Sequence, residues 1–113
     1  MVLLNIGEDT NDGRKLMADK VIAALHLAGA LPTDIWGHFS DTEFTYVVEI
    51  PRPLSEREVR DLSIVLDQDA VAQWDGREGI LAGPKAAKWG PFNPDYFLTL
   101  TGERLSDTIR KAA

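Results

Sequence analysis

The chain has 113 residues with 44% hydrophobic and 27% charged residues, one domain of ordinary globular composition, which excludes disordered, collagen-like and coiled-coil chains. It contains no cysteine, so a disulfide framework, a thiolate metal site and a cysteine nucleophile are excluded. A formal charge of −6 and a pI near 4.8 argue against nucleic-acid binding, which needs clustered Lys and Arg to neutralise phosphates. No apolar run approaches the ~18 residues of a membrane span, and Met1 leads into Val-Leu-Leu-Asn rather than a basic signal segment. The expectation is a soluble cytoplasmic protein.

The charge is uneven. Residues 41–78 hold 10 acids against 4 bases, whereas 79–113 hold 3 against 5. Such an acidic middle serves solubility or a basic partner.

Val2 to Gly7 is a short apolar run ending in glycine, read as a buried strand. After the polar cluster Glu8–Gly13, the spacing predicts a helix from Arg14 to Ala28. Met17, Val21, Ala24, Leu25 and Ala28 share one face, and Gly29 stops it. Ile35–Ser40 and Glu43–Ile50 read as two strands joined by a turn at Asp41-Thr42. The second alternates, with Phe44, Tyr46, Val48 and Ile50 on one side, until Pro51 and Pro53 end it.

Ser55-Glu-Arg-Glu58 is a capping box, flanked by the staple pair Leu54 and Val59. Val59, Leu62, Val65 and Leu66 are expected to form the buried stripe of the helix that follows. Ala70–Trp74 reads as a strand, Asp75-Gly76 as a turn, Ile80–Ala82 as its return and Tyr96–Thr101 as a further short strand. Ser106 is placed as the cap of a last helical turn ending in Arg110 and Lys111.

The order β-α-β-β-α-β implies an α+β, ferredoxin-like domain of the split βαβ type. Residues 1–113 form one domain, with a core over 1–75 and a C-terminal β-hairpin or loop extension over 76–113. In that arrangement the strands at Val2–Ile6 and Phe44–Ile50 are central, and the helices cover one sheet face. The other face then carries Val47 and Trp36, and Ile64 falls opposite the buried stripe of its helix. These three residues are the expected interface, to be covered by the C-terminal portion or by another chain, which suggests an oligomer.

No catalytic or metal set and no cofactor motif stands out. His26 falls on the solvated side of its helix. His38 sits on a strand near Asp41, Glu43 and Glu49, but one histidine among scattered acids is not a ligand set. Ser40, two residues on, lacks the glycines of a nucleophile elbow. Gly76-Arg-Glu-Gly79 and Gly83-Pro-Lys85 lack the spacing of a phosphate loop. The carboxylate pairs Asp67/Asp69 and Asp75/Glu78 lie outside any apolar run that would raise a pKa.

The distinctive stretch is Gly83–Pro94, with three prolines, Trp89, Phe92, Lys85 and Lys88 and no acid. Proline lowers the entropy cost of holding such a loop in one shape. Lys85, Lys88, Trp89 and Phe92 are therefore the candidate binding residues. The structural alternative is a cap in which Trp89 and Phe92 close the core.

The segments Asp67–Gly76, Leu81–Pro84 and Trp89–Phe97 resemble small proteins carried by phages and mobile elements. The resemblance implies a bacterial host and brings no activity or site residues with it. Size, element order and Thr101-Gly-Glu103 are also similar to the trimeric PII-type signalling proteins. The tight turn between the second and third strands departs from their long effector loop, so their nucleotide site is not carried over. The resulting expectation is a non-enzymatic, acidic accessory protein of phage type that binds a protein, either a host system that it inhibits or a second copy of itself, and binds neither nucleic acid nor membrane. A small-ligand or nucleotide-binding module using the 83–94 loop is the first alternative. A small enzyme centred on His38 is the second.

Overall fold

The apolar run at Val2–Ile6 and the alternating run at Glu43–Ile50 both become interior strands, because each buries side chains on both faces of the sheet. The computed structural model describes residues 2–8, 14–40, 43–84 and 94–112. In chain order it forms β1 (Val2–Glu8), α1 (Arg14–Leu27), β2 (Asp34–Ser40), β3 (Glu43–Ile50), α2 (Glu56–Val65), β4 (Val71–Trp74), β5 (Gly79–Ala82), a 3-10 turn (Pro94–Tyr96) and α3 (Leu105–Ala112). The five strands make one sheet in the order β2-β3-β1-β4-β5, with every neighbouring pair antiparallel. This is a small α+β domain. Among the described residues no helix is long and apolar enough to cross a membrane.

The first six elements follow the order read from the sequence, but the sheet is not the bare four-stranded one that a split βαβ unit requires. β5 pairs along all of β4, so β4 is interior. The hairpin closes because the Asp75 carboxylate accepts the N–H groups of Arg77 and Glu78, at 2.8 and 2.7 Å. Gly76 supplies the positive φ of +100° between them. Those donations, that of Glu78 foremost, hold the Asp75 carboxyl below its ordinary range.

α1 and α2 lie on one face of the sheet, where Leu4, Ile6, Val48, Ile50, Val71 and Ile80 meet Val21, Leu25, Val59 and Leu62 in the main core. One expected member of the α2 stripe is misplaced. Val65 is exposed, and Ser63 is fully buried in its stead. Positions 59, 62, 63 and 66 are spaced i, i+3, i+4 and i+7 on one helical face, which position 65 does not share. Serine is tolerated there because its hydroxyl donates to the Arg60 carbonyl at 2.6 Å.

The opposite face is closed by the chain's own C-terminal segment. The strand expected over Tyr96–Thr101 is absent, replaced by the 3-10 turn and a single bridge between Leu98 and Arg104. A turn from Thr99 to Gly102, with Gly102 at φ +87°, reverses the chain, and Leu105 N–H returns to the Phe97 carbonyl at 2.9 Å. Phe97 and Leu105 therefore point together onto Ala72, between Trp74 and Leu81. Ser106 does not cap α3. It lies inside the helix and is buried, because Arg104 already accepts from Asp107 and Thr108.

Two polar ties fasten the helices to the sheet. The buried Gln73 side chain accepts the Leu54 N–H at 2.8 Å and donates to the Leu54 carbonyl at 3.0 Å. One residue on, at Ser55, the capping box is complete. Ser55 Oγ accepts the Glu58 N–H, and Glu58 Oε1 accepts the Ser55 N–H. Glu58 also receives both arms of Arg52, at 3.2 and 2.9 Å, while Arg52 donates to the Ala28 carbonyl at the end of α1. One guanidinium thus joins the last turn of α1 to the first turn of α2.

Gln73→Met, which keeps the volume but leaves the buried Leu54 donor and acceptor unpaired, is expected to cost about 2–5 kcal/mol in urea unfolding. A loss below about 1 kcal/mol would show that the two groups find other partners.

The Arg52 guanidinium first, then the Ser55 N–H, lowers the Glu58 carboxyl from 4.5 to about 2. A carboxyl held down in the folded state contributes stability that is fully present above its ordinary value and is lost as pH falls through the folded one. Stability should therefore decline as the pH drops from about 4.5 towards about 2. Glu58→Gln should flatten the unfolding free energy against pH over that window, and an unchanged slope would assign the acid sensitivity to other carboxylates.

Candidate functional site

α1 presents apolar residues on its outer side as well as its inner one. Asp19, Ile22, Ala23, His26 and Leu27 follow the i, i+3, i+4, i+7, i+8 spacing of a single helical stripe. Together with Leu31 they line an open trough of about 440 Å³. The lining is mostly apolar, with Asp19 and His26 as its polar members. Leu27 is 87% exposed, and Leu31 and Ile22 are exposed beside it.

Leu31 reaches this position because of how the helix stops. Gly29 has φ +73°. The N–H of Gly29 goes to His26 and that of Ala30 to Leu25, at 3.0 and 2.8 Å, the paired bonds of a Schellman turn. Ala30 and Leu25 are both fully buried as its apolar contact. The turn reverses the chain, so Leu31 lies back along the outer face of the helix it has just left. The trough is too open to enclose a small molecule, since ligand sites bury most of their ligand's surface. Its shape suits side chains projecting from another protein surface.

The residues singled out from the sequence are not brought together. Lys85, Lys88, Trp89 and Phe92 lie outside the described residues. Trp36, on β2, is 49% exposed, and Ile64 is exposed on the outer side of α2. Val47 is not an interface residue: its exposure is 0%. It faces away from α1 and α2, paired to Asn5 and Trp36, and the C-terminal segment closes over that face. Of the two covers expected for that face, the C-terminal portion or another chain, the structure shows the chain's own segment at Ala72 and at His38, so Val47 supplies no argument for an oligomer.

His38 lies under the same segment. A Cβ added to Gly102 would stand 2.8 Å from His38 Nδ1, so the turn backbone rests on the imidazole and the ring is half-buried. His26 is exposed as expected, and it belongs to the trough lining. Among the described residues no three His, Asp or Glu side chains gather closely enough to hold a metal ion.

The trough was missed from the sequence, although a signal was present. Ile22, Ala23 and Leu27 make α1 apolar on the side opposite its buried stripe, and Leu31 follows its glycine stop by two residues. No family model matches this chain, no curated protein matches its sequence and no solved structure matches its fold.

A Cβ at Gly29 meets no atom within 4 Å, so substitution there tests the backbone alone. Gly29→Ala should cost about 1–2 kcal/mol in thermal or denaturant unfolding, the penalty of a left-handed conformation in an L-residue. A neutral variant would mean the turn relaxes, and Leu31 would leave the trough.

Proposed function

We propose that this protein is a non-enzymatic, protein-binding accessory domain of phage or mobile-element type, ferredoxin-like in fold, working in the cytoplasm of a bacterial host. The partner is a host protein whose activity the docked domain blocks. The observation that carries the reading is Leu27, 87% exposed beside Leu31 and Ile22 in a mostly apolar trough. Single exposed apolar side chains are ordinary on protein surfaces, and three gathered along one trough support the reading of a contact site.

The chemistry of the trough selects the partner. A mostly apolar lining with Asp19 and His26, on a chain of net charge −6, fits an amphipathic segment with aliphatic anchors and basic flanks. Helix-in-groove recognition uses such anchors, and the opposite charge speeds encounter.

Leu27→Ser with Leu31→Ser tests this directly. Both side chains are exposed, so the melting temperature should move by no more than a few degrees. Tagged parent and variant are compared by quantitative co-purification from bacterial cells. The partner retained by the parent should bind the variant at least about thirtyfold more weakly, the loss of an interface hot spot. A partner held equally by both would place the contact elsewhere.

A further inference from the structure

The turn between β4 and β5 is built on an Asp75-Gly76 pair, and that pair has a chemistry of its own. Glycine carries no Cβ to shield its backbone nitrogen, so the carboxyl carbon of a preceding aspartate is open to attack by that nitrogen. A bond forms between Gly76 N and Asp75 Cγ, and one Cγ–O bond breaks. The oxygen leaves as water with the carboxyl proton and the Gly76 amide hydrogen, and a five-membered succinimide remains. Water then opens the ring. Breaking the bond from nitrogen to Cγ restores aspartate. Breaking the bond from nitrogen to the Asp75 main-chain carbonyl carbon gives isoaspartate, with the chain routed through the former side chain. Water is the only other reactant.

The closed turn opposes this reaction. Loss of water needs the protonated carboxyl, because a carboxylate has no leaving group to expel. Asp75 Oδ1 accepts the N–H groups of Arg77 and Glu78, at 2.8 and 2.7 Å, and both bonds favour the ionised form. The bond from Glu78 foremost, then that from Arg77, holds the carboxyl below its ordinary range. The main chain is tied as well. Asp75 N–H donates to the Glu78 carbonyl at 3.2 Å, and Gly76 is set at φ +100°. All these restraints belong to one turn and are released together when it opens. β5 is only four residues long and stands at the end of the sheet, and such an element can open at less than the cost of global unfolding.

We propose that Asp75-Gly76 is a modification site that passes through the succinimide to isoaspartate only when the β4–β5 hairpin opens, and that the change then prevents the hairpin from closing as before. Isoaspartate adds one methylene to the main chain at the turn and consumes the side-chain carboxylate. The Arg77 and Glu78 N–H groups lose their acceptor, and the Trp74↔Gly79 pair beside the turn is the first to lose its register. Each opening is an occasion for conversion, so the isoaspartate content of a sample reports how long its hairpins have stood open. The site lies in the hairpin alone and stands without the α1 trough.

The parent is incubated in mildly acidic buffer, with and without urea, in water enriched in heavy oxygen. Residue 75 is then read by peptide mapping with fragmentation, since each passage through the ring installs one heavy oxygen and isoaspartate separates from aspartate. Asp12-Gly13, the other Asp-Gly pair of the chain, gives the intrinsic rate in urea, where the two pairs should convert alike. Without urea, Asp75 should convert at least about tenfold more slowly than in urea, the factor for one hydrogen bond to a charged group. Glu78→Pro removes one of the two donors and keeps the Asp-Gly pair. Shown by its melting curve to be folded, it should convert about tenfold faster than the parent in buffer and at the parent's rate in urea. The isoaspartyl form, separated from the parent, should melt at a lower temperature. Equal conversion of the parent in buffer and in urea overturns the proposal. So does an Asp75 that stays unconverted in urea while Asp12 converts, a folded Glu78→Pro no faster than the parent in buffer, or an isoaspartyl form that melts with the parent. Should Glu78→Pro not fold, the parent's rates in buffer and in urea decide alone.

Discussion

The helix layer is held at its sheet by an amide that cannot be left alone. Gln73 sits fully buried in β4 among Leu4, Ile80 and the underside of α2, where a polar side chain costs free energy unless both its donor and its acceptor are matched. Both ends are matched by one peptide neighbourhood, the N–H and carbonyl of Leu54. This fixes where the chain arrives before α2 begins. The capping box then sets the first turn, and Arg52 sets the distance back to α1. Three adjacent devices in residues 52–58 thus decide how two helices lie over five strands. The apolar side chains beneath could be accommodated in several arrangements, but the amide in one.

The other sheet face obeys a looser logic. Among the described residues its apolar cover is Phe97 and Leu105 over Ala72, followed by the turn from Thr99 to Gly102. At Gly102 the turn rests on His38 without any side chain of its own. Ion pairs on this segment, such as Lys111 with Glu103 at 3.5 Å, are exposed and contribute little. The two faces therefore differ in kind. One is a packed core pinned by hydrogen bonds, and the other is a surface closed by a strap.

The sequence made the regular elements legible because their signals are local. Alternation from Phe44 to Ile50 and the Ser55–Glu58 box each encode an answer within eight residues. The errors came where identity and geometry disagreed. Val65 looks like a core residue and lies off the stripe, while Ser63 looks like a surface residue and lies on it. Thr99-Leu-Thr alternates like a strand, yet Pro94 and Gly102 turn the chain on either side of it. Val47 was correctly given to the face away from α1 and α2, but whether that face was wet depended on residues fifty positions later, and no pattern near Val47 could report them. Of the candidate site, the trough's leucines were visible and their convergence was not, since it follows from the positive φ at Gly29.

The central position of β1 has a consequence for how the chain is made. Its hydrogen-bonding partners are β3, at residues 44–50, and β4, at residues 72–74. Nothing nearer in the sequence can satisfy it. During translation the apolar strand Val2–Ile6 therefore leaves the ribosome well before either partner, and α1 folds behind it with no sheet to lie on. The β2–β3 hairpin is the first local pairing available and offers β1 its earliest template. Until β3 is out, this apolar strand is unpaired, and an unpaired apolar strand is a segment that other chains can capture.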